Sequence, residues 1–304
     1  MKWTKRGLIY QPGGSPSWGR LAALTPTPIL LNEEVIRVYA GFRDDKGVSR
    51  IGYVDVEAAN PSRVIGISPQ PALDIGAPGT FDDNGVILGD VIKHNDSYYL
   101  YYVAFQLVEK AKFYAFSGLA ISSDEGRTFT RVSQAPILDR TDGELFIRAI
   151  HSVMIENGDW KFWYAAGNGW EQLNGTPYPR YHIRYVESLD GKSFSQPSVA
   201  CVEVQNDEYR IGRPRVYKFA DKYLMFYTRG SRNGAYLAGC AESGDGVNWK
   251  RGDDNLGIAP SVSGWDSLSL CYPALLECHG KTYMFYNGNN MGQTGFGYAE
   301  LEAW

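Results

Sequence analysis

Short apolar runs of strand length, separated by Gly, Asn, Asp and Ser, recur along the whole chain. Five of these runs are aromatic and align on one tyrosine each: "EVIRVYAG" on Tyr39, "YYLYYVA" on Tyr102, "WKFWYAA" on Tyr164, "YLMFYTR" on Tyr227 and "TYMFYNG" on Tyr286. The tyrosines are 63, 62, 63 and 59 residues apart. A fixed period near this length is typical of repeat proteins, and short apolar runs between turn residues predict strands. The pattern therefore predicts five repeats of an all-β unit.

Each aromatic run is followed by another strand-like run, and three of these lead into an acid-Gly turn: "SSDEGRTF", "ESLDGKSF" and "ESGDGVNW". Gly supplies the positive φ that a tight turn needs, so we interpret the acids in these turns as structural. The fifth unit has no outer strand of its own, but "WTKRG" at residues 3–7 resembles "WKRG" at residues 249–252. We therefore predict one domain, residues 1–304, that forms a five-bladed β-propeller of four-stranded antiparallel blades, with the N-terminal strand closing the last blade.

Composition and charge narrow the classes of function. The net charge is −4 and no block of like charge occurs, which argues against nucleic acid and an anionic membrane as partners. The N-terminus lacks the apolar core of a signal peptide and no 18 apolar residues run together, so we expect a cytoplasmic protein. The four Cys and four His are scattered without metal-ligand spacing, so we expect no metal and no other cofactor.

Carboxylates precede the innermost strand of several units. Four segments align in one register: "FDDNGVILGD", "DGELFIRAIH", "NDEYRIGRPR" and "WDSLSLCYPA". One column holds Asp83, Glu144 and Glu208, which a propeller would place around one mouth of its central channel. We predict that these three acids are catalytic. The column before it holds Asp82, Asp207 and Asp266, which we interpret as structural acids at strand starts.

Further charges fall at or near the starts of the innermost strands. We predict that Asp90, Arg148, His151, Arg213 and Arg215 bind substrate, although the same charges also fit a structural ion network. Aromatic residues that suit stacking on a sugar ring are Tyr209, Tyr272 and Trp170, with Trp18 and Phe105. The long segment "AGNGWEQLNGTPYPRYH", residues 166–182, is expected to cover the channel mouth.

The phrases "FDDNGV…KHNDSYYLYY", "EYRIGRPRV" and "GWDSLSLCYPALL…GKTYMFYNGN" resemble the five-bladed propeller superfamily of glycoside hydrolases, over the whole chain. That superfamily includes arabinanases, xylosidases, invertases and mannoside phosphorylases, and the chain also resembles uncharacterised bacterial hydrolase-like proteins. The resemblance implies an enzyme that cleaves or transfers a glycosidic bond with three carboxylates around the channel. This sequence departs from that pattern, since "SWGRLAALTPTPILL" has no carboxylate where many members have one, and Arg213-Pro214-Arg215 stands in the fourth unit.

The arginines keep other functions open. Guanidinium groups bind phosphate or carboxylate in a bidentate manner, which suits a sugar with an anionic group better than a neutral pentose. A phosphorylase, an enzyme of an acidic or nucleotide-linked sugar and a non-catalytic sugar-binding propeller are the alternatives. In each of them the partner is a small-molecule sugar or an oligosaccharide.

Overall fold

The computed structural model describes residues 1–13, 16–195 and 197–304, and β-strands make up nearly all of its regular structure. Antiparallel pairing groups the described strands into five sets of four. The all-β prediction is confirmed.

The strands of each set follow one another in sequence, except that the last set takes its outer strand from the N-terminus. The first strands are β2 (Ala22–Leu30), β6 (Val86–His94), β10 (Ile147–Glu156), β14 (Glu208–Phe219) and β18 (Cys271–Cys278). The second strands are β3 (Val35–Arg43), β7 (Ser97–Leu107), β11 (Asp159–Leu173), β15 (Lys222–Ser231) and β19 (Lys281–Asn287). The third strands are β4 (Ser49–Glu57), β8 (Phe113–Ser122), β12 (Thr176–Ser188), β16 (Tyr236–Ser243) and β20 (Phe296–Ala303). The outer strands are β5 (Asn60–Ile67), β9 (Thr130–Arg131), β13 (Val199–Val202), β17 (Lys250–Arg251) and β1 (Lys2–Tyr10). The helical segments are α1 (Asn289–Gly292) and two 3₁₀ turns, Ser17–Gly19 and Asp253–Asn255.

The N-terminal strand β1 pairs antiparallel with β20, as the sequence match predicted. Trp3 lies opposite Leu301, and its indole Nε1 donates a hydrogen bond of 2.9 Å to the Leu256 carbonyl oxygen. The Lys5 ammonium lies 2.6 Å from the Asp266 carboxylate. These contacts attach the first residues of the chain to the last set of strands.

Strand pairing joins only some of the sets. Two short parallel pairings, between β8 and β10 and between β12 and β14, link three sets into one sheet, while the other two sets are separate sheets. Among the described strands, strand pairing therefore does not close the sheets into a ring.

Apolar packing connects every set to the next. Neighbouring residues of a strand point to opposite faces, so Tyr101 and Tyr102 contribute to different hydrophobic clusters. Five clusters lie between consecutive sets and pair Tyr39 with Leu100, Tyr101 with Phe162, Trp163 with Met225, Phe226 with Met284, and Phe285 with Val38. The last of these joins the fifth set to the first. The first strands also contact one another in this order and surround a central space.

The five tyrosines of the repeat are fully buried in the second strands. Four of them donate hydrogen bonds to carboxylates: Tyr102 to Asp82 at 3.3 Å, Tyr164 to Glu144 at 2.9 Å, Tyr227 to Asp253 at 2.6 Å and Tyr286 to Asp266 at 3.0 Å. A buried phenol hydroxyl needs a hydrogen-bond partner. Four of the five repeats therefore share the hydrogen bond to a carboxylate as well as the buried tyrosine ring.

The acids of the three predicted turns also have structural contacts. Asp124, Asp190 and Asp245 each accept hydrogen bonds from backbone N–H groups two to four residues later. Desolvation raises the pKa of Asp190, but the hydrogen bonds that it accepts outweigh this and lower its pKa to about 2. The interpretation of these acids as turn residues is confirmed.

Candidate active site

Each first strand carries a β-bulge in its N-terminal half, at an equivalent place in all five sets. The bulged residues are Thr25, Gly89, His151, Arg213 and Tyr272. Thr25, Arg213 and Tyr272 have φ angles of 57°, 57° and 55°, and each is followed by proline. Proline is tolerated here because a bulge leaves its nitrogen outside the ladder of hydrogen bonds. Positive φ in non-glycine residues stores strain and often occurs at functional sites.

The bulged residues Thr25, His151, Arg213 and Tyr272 line a central cavity of about 460 Å³. This volume is within the roughly 300–1,000 Å³ of small-molecule sites. Residues from all five sets contribute to the lining, and one wall is apolar, with Phe105 and Phe113 in edge contact at 5.3 Å. Tyr178, Tyr181 and Tyr236 also line the cavity. A ring with apolar faces and hydroxyl groups, such as a sugar, is compatible with such a mixed aromatic lining.

The charges of the central cavity have one sign. Its basic residues are Arg43, Lys112, Arg210 and Arg213, while none of the described residues that line it is Asp or Glu. In the described part of the chain, no carboxylate oxygen lies within 4.0 Å of a side-chain nitrogen of these four cations. The cavity is therefore locally cationic in a protein whose net charge is −4.

Arg213 and His151 form the floor of the central cavity. Arg213 Nη1 donates to the Leu88 carbonyl oxygen and lies 3.0 Å from His151 Nδ1, while Nη2 is 3.2 Å from Thr27 Oγ1. Burial, with the neighbouring charge of Arg215, lowers the pKa of Arg213 to about 9. Burial and the charges of Arg213 and Arg215 also lower the pKa of His151 well below its usual value. At neutral pH the ring of His151 is therefore neutral and accepts a hydrogen bond from a charged guanidinium.

Glu144 and Glu208, two of the three predicted catalytic acids, are buried outside the lining of the central cavity. Glu144 accepts a bond from Arg148 Nε and lies 2.9 Å from Arg184 Nε. Glu208 receives both Nη atoms of Arg251 at 2.8 and 2.7 Å. Desolvation raises the pKa of Glu208, but the hydrogen bonds from Arg251, the Gln205 amide and Arg229, together with the charge of Arg251, outweigh this and lower the pKa. Both acids have strong structural partners, and their catalytic role stays a prediction.

Asp83, the third predicted acid, lies beside the central cavity and is partly exposed. Its Oδ2 accepts the Gly79 amide at 2.8 Å, and its Oδ1 accepts a bond from the side chain of Asn84, which lines the cavity. The neighbouring Asp82 is fully buried and ion-paired with Arg131 at 2.6 Å. None of the three predicted acids lines the central cavity, and the catalytic role of Asp83 also stays a prediction.

Among the residues predicted to bind substrate, His151, Arg213 and Tyr272 line the central cavity. Asp90 and Arg215 instead form a buried ion pair, and Asp90 also accepts the Val153 amide at 2.8 Å, so the pair joins three first strands. Arg148 is held by Glu144 and by the Asp139 carbonyl oxygen. The structural ion network that the sequence left open is thus present for Asp90, Arg148 and Arg215.

The aromatic candidates divide in the same way. Phe105 and Tyr272 line the central cavity. Tyr209 is buried beside Arg210, and Trp170 packs behind the apolar wall, 5.1 Å from the Phe113 ring. Trp18 packs on Phe42 at 5.2 Å. Tyr209, Trp170 and Trp18 lie outside the lining, and a role for them in binding substrate stays a prediction.

Sequence reasoning missed several residues of the central cavity, chiefly Arg43, Lys112, Arg210, Tyr178, Tyr181 and Tyr236. The predicted mouth segment supplies two of them, because residues 166–182 extend β11 and β12 and place Tyr178 and Tyr181 in the lining. Three of the bulged residues could have been found from the sequence, because a proline directly follows Thr25, Arg213 and Tyr272 near the start of a first strand.

Two kinds of feature are absent from the described residues. No group of three or more His, Cys, Asp or Glu among them has an arrangement that suits a metal ion. No helix in the same residues has the length and apolar character needed to span a membrane.

Comparison with known proteins places the chain in a family. It is 32% identical to the uncharacterized protein Rv1502 of Mycobacterium tuberculosis over 303 residues, which is 99% of this chain and 100% of the relative. It is also 32% identical over 303 residues to the uncharacterized protein MT1551 of another strain of that species. The chain therefore belongs to the same protein family as these two mycobacterial proteins. No protein-family model matches it.

Solved structures with a similar fold are glycoside hydrolases. One described as "Glycoside hydrolase" has a TM-score of 0.76 and 19% identity, with coverage of 99% of this chain and 92% of its own. A thermostable family-43 glycoside hydrolase has a TM-score of 0.69 and 17% identity, with coverage of 94% and 90%. The endo-arabinase of Bacteroides thetaiotaomicron has a TM-score of 0.66 and 14% identity, with coverage of 98% and 99%. The predicted resemblance to propeller-type glycoside hydrolases is confirmed at the level of the fold.

Proposed function

We propose that this protein is a carbohydrate-active enzyme whose substrate is a sugar with an anionic group, bound in the central cavity. In this proposal the five sets of strands are the blades of a five-bladed propeller and the cavity is its channel. The fold shared with glycoside hydrolases supports the sugar, and the cationic lining supports the anionic group.

The observation that carries the proposal is the set of four cations without a carboxylate in the lining. A neutral sugar would leave the two buried cations, Arg210 and Arg213, without a counter-ion once it displaced the water, and unpaired buried charge is costly. A phosphate or carboxylate on the sugar neutralises part of that charge and forms charge-assisted hydrogen bonds.

The bond-cleaving group is the second part of the proposal. Glycosidic cleavage normally uses two carboxylates on opposite sides of the bond. We propose Asp83 as the first candidate, because it is partly exposed and adjoins Asn84 of the lining. Glu144 and Glu208 are weaker candidates, since each would have to break a buried ion pair before it acted on substrate.

A non-catalytic sugar-binding propeller is the second candidate function. It is favoured by one observation, namely that no Asp or Glu of the described residues lines the cavity. Binding without turnover is the outcome that separates it from the first proposal.

The test measures turnover and binding on the same set of compounds. We expect release of reducing sugar, with or without added phosphate, from at least one oligosaccharide or glycoside with a uronic acid or a phosphate group. We expect Asp83→Asn to lower that rate by about a hundredfold or more, the scale of a lost general acid or base. The control is Asp96→Asn in an exposed hairpin turn, which should keep the wild-type rate. Absence of both turnover and calorimetric binding for all sugars would overturn the proposal.

A further inference from the structure

Arg210 is a cavity residue that the predicted site did not include. It lies near the start of β14, opposite Gly230 of β15 and paired in parallel with Tyr181 of β12. The residue is only 8% exposed, and it lines the central cavity. Arg210 therefore borders a space that a ligand could enter.

The guanidinium of Arg210 has no counter-charge from the described part of the chain. Its Nε lacks a hydrogen-bond partner, and no described carboxylate lies within 4.0 Å of it. Arg37 and Arg215 are also buried, but each is paired with a carboxylate, Asp55 and Asp90 respectively. Buried Arg213 has no carboxylate partner among the described residues, but it is bonded to carbonyl oxygens, Thr27 and His151. A buried cation without a partner is costly, so this position needs an anion to complete it.

Four tyrosine rings surround the Arg210 guanidinium. Their centroids lie 5.6 Å from Cζ for Tyr178, 6.0 Å for Tyr181, 5.0 Å for Tyr209 and 4.5 Å for Tyr236. Aromatic faces attract a cation but carry no net charge, so they hold the group in place without neutralising it. Burial raises the pKa of Tyr209 and of Tyr236, so these phenols stay neutral around neutral pH.

The backbone leaves room for this arrangement at Gly230. A Cβ atom there would lie 2.7 Å from Arg210 Nε and 3.0 Å from its Cγ, closer than side chains pack. The missing side chain thus forms a cradle for the Arg210 side chain. Gly212 makes similar room for the Tyr181 ring, since its Cβ would lie 2.7 Å from that ring.

We propose that Arg210, held among these four tyrosines, binds the oxyanion of the substrate, a carboxylate or a phosphate group carried by the sugar. Arg213 lies on the same strand, lines the same cavity and adds a second positive charge. This inference rests on the proposed function and deepens it by assigning the residue that selects an acidic or phosphorylated sugar over a neutral one.

The first experiment is titration calorimetry of the full chain at pH 7 with glucose, glucuronic acid, glucose 1-phosphate and inorganic phosphate. We expect the wild type to bind glucuronic acid or glucose 1-phosphate at least tenfold more tightly than glucose. Arg210→Gln should weaken the anionic ligands by about ten- to a hundredfold, the range for bonds to a charged group, and leave glucose unchanged. Arg63→Gln, at an exposed ion pair on the outer strand β5, is the matched control.

The second experiment keeps the positive charge at residue 210 and changes its position or shape. Gly230→Ala puts a methyl group 2.7 Å from the present position of Arg210 Nε, so the side chain must shift. We expect the same anions to bind several-fold more weakly with an unchanged circular dichroism spectrum. Arg210→Lys keeps the charge without the fork and should give an intermediate loss. These two variants test the inference even if Arg210→Gln does not fold.

The outcomes separate this inference from the proposed function. Equal binding of neutral and anionic sugars by wild type and Arg210 variants would overturn the role of Arg210 and the anionic group of the proposed substrate, while the proposal of a carbohydrate ligand would stand. Binding of inorganic phosphate that depends on Arg210, without binding of any sugar, would support the anion site and overturn the carbohydrate proposal. Anion binding that survives both Arg210→Gln and Gly230→Ala would overturn the inference.

Discussion

At the scale of single residues, burial and partner decide what a charged side chain does. Arg210, Arg213 and Arg215 lie within six positions on one strand, yet only Arg215 has a carboxylate partner. The bulge at Arg213 changes the direction of the strand between them. As a result Arg210 and Arg213 line the central cavity, whereas Arg215 ties the first strands together.

Glu208 provides a direct test of structural against catalytic carboxylates. We expect Glu208→Gln to lower the free energy of unfolding by about 3 kcal/mol, because it breaks the buried ion pair with Arg251 and leaves Asp253 as the remaining carboxylate beside that guanidinium. Glu242→Gln removes an exposed partner of Lys222 and should cost less than about 1 kcal/mol. Urea unfolding at pH 7 measures both values. A variant of full stability that has lost turnover would instead support the catalytic prediction for Glu208.

His151 should make the protein sensitive to mild acid. In the native state the pKa of His151 lies well below its usual value. In the unfolded chain the same side chain takes up a proton near pH 6.5. Below that pH the unfolded state therefore binds more protons than the native state does. Stability conferred by neutral His151 is therefore complete above about pH 6.5 and is lost progressively below it.

We expect His151 to account for about 2 kcal/mol of lost stability between pH 7 and pH 5. His151→Asn keeps an acceptor for Arg213 and should reduce the pH dependence by that amount in urea unfolding at pH 7, 6 and 5. His279→Asn, at an exposed turn residue with φ of 51°, is the control and should keep the wild-type dependence. Identical pH dependence in the wild type and His151→Asn would refute the assignment.

At the scale of elements, β1 completes a sheet that the C-terminal part of the chain cannot complete alone. It covers the edge of β20, buries Trp3 and supplies Lys5 to Asp266. An uncovered edge strand exposes unpaired backbone groups and promotes aggregation.

Removal of residues 1–8 should therefore lower the melting temperature and cause aggregation. We expect a synthetic peptide of residues 1–10, added in excess, to restore part of the melting temperature, because it can pair with β20 and bury Trp3. A scrambled peptide and a Gly-Ser replacement of the same eight residues are the controls. Unchanged melting after the deletion would show that β1 contributes little to the stability of the last set.

At the scale of the whole molecule, the central cavity exists only because five sets of strands meet. Apolar clusters hold each set to the next, and every first strand or its neighbours contributes lining residues. The molecule carries a net charge of −4, yet the cavity gathers four cations, so charge is distributed unevenly between surface and centre.

The sequence by itself determined the all-β fold, the period of about sixty residues and the attachment of the N-terminal strand. These features depend on local patterns: alternating apolar residues, turn glycines and one repeated aromatic run. The structural role of the acids in the three turns could also be predicted from the sequence, because their hydrogen bonds reach only a few residues along the chain.

Only the tertiary structure decided which charges neutralise one another and which remain in the cavity. Asp82 meets Arg131 49 residues away, Glu208 meets Arg251 43 residues away, and Asp90 meets Arg215 125 residues away. The bulges of the first strands differ in length, with one unpaired residue at His151 and two at Arg213 and Pro214. The alignment of the sequence segments therefore matched Arg215 with His151, whereas the bulged residue of β14 is Arg213. The energy of a charge depends on distance and burial, and both are set by contacts between sets of strands that no local pattern records.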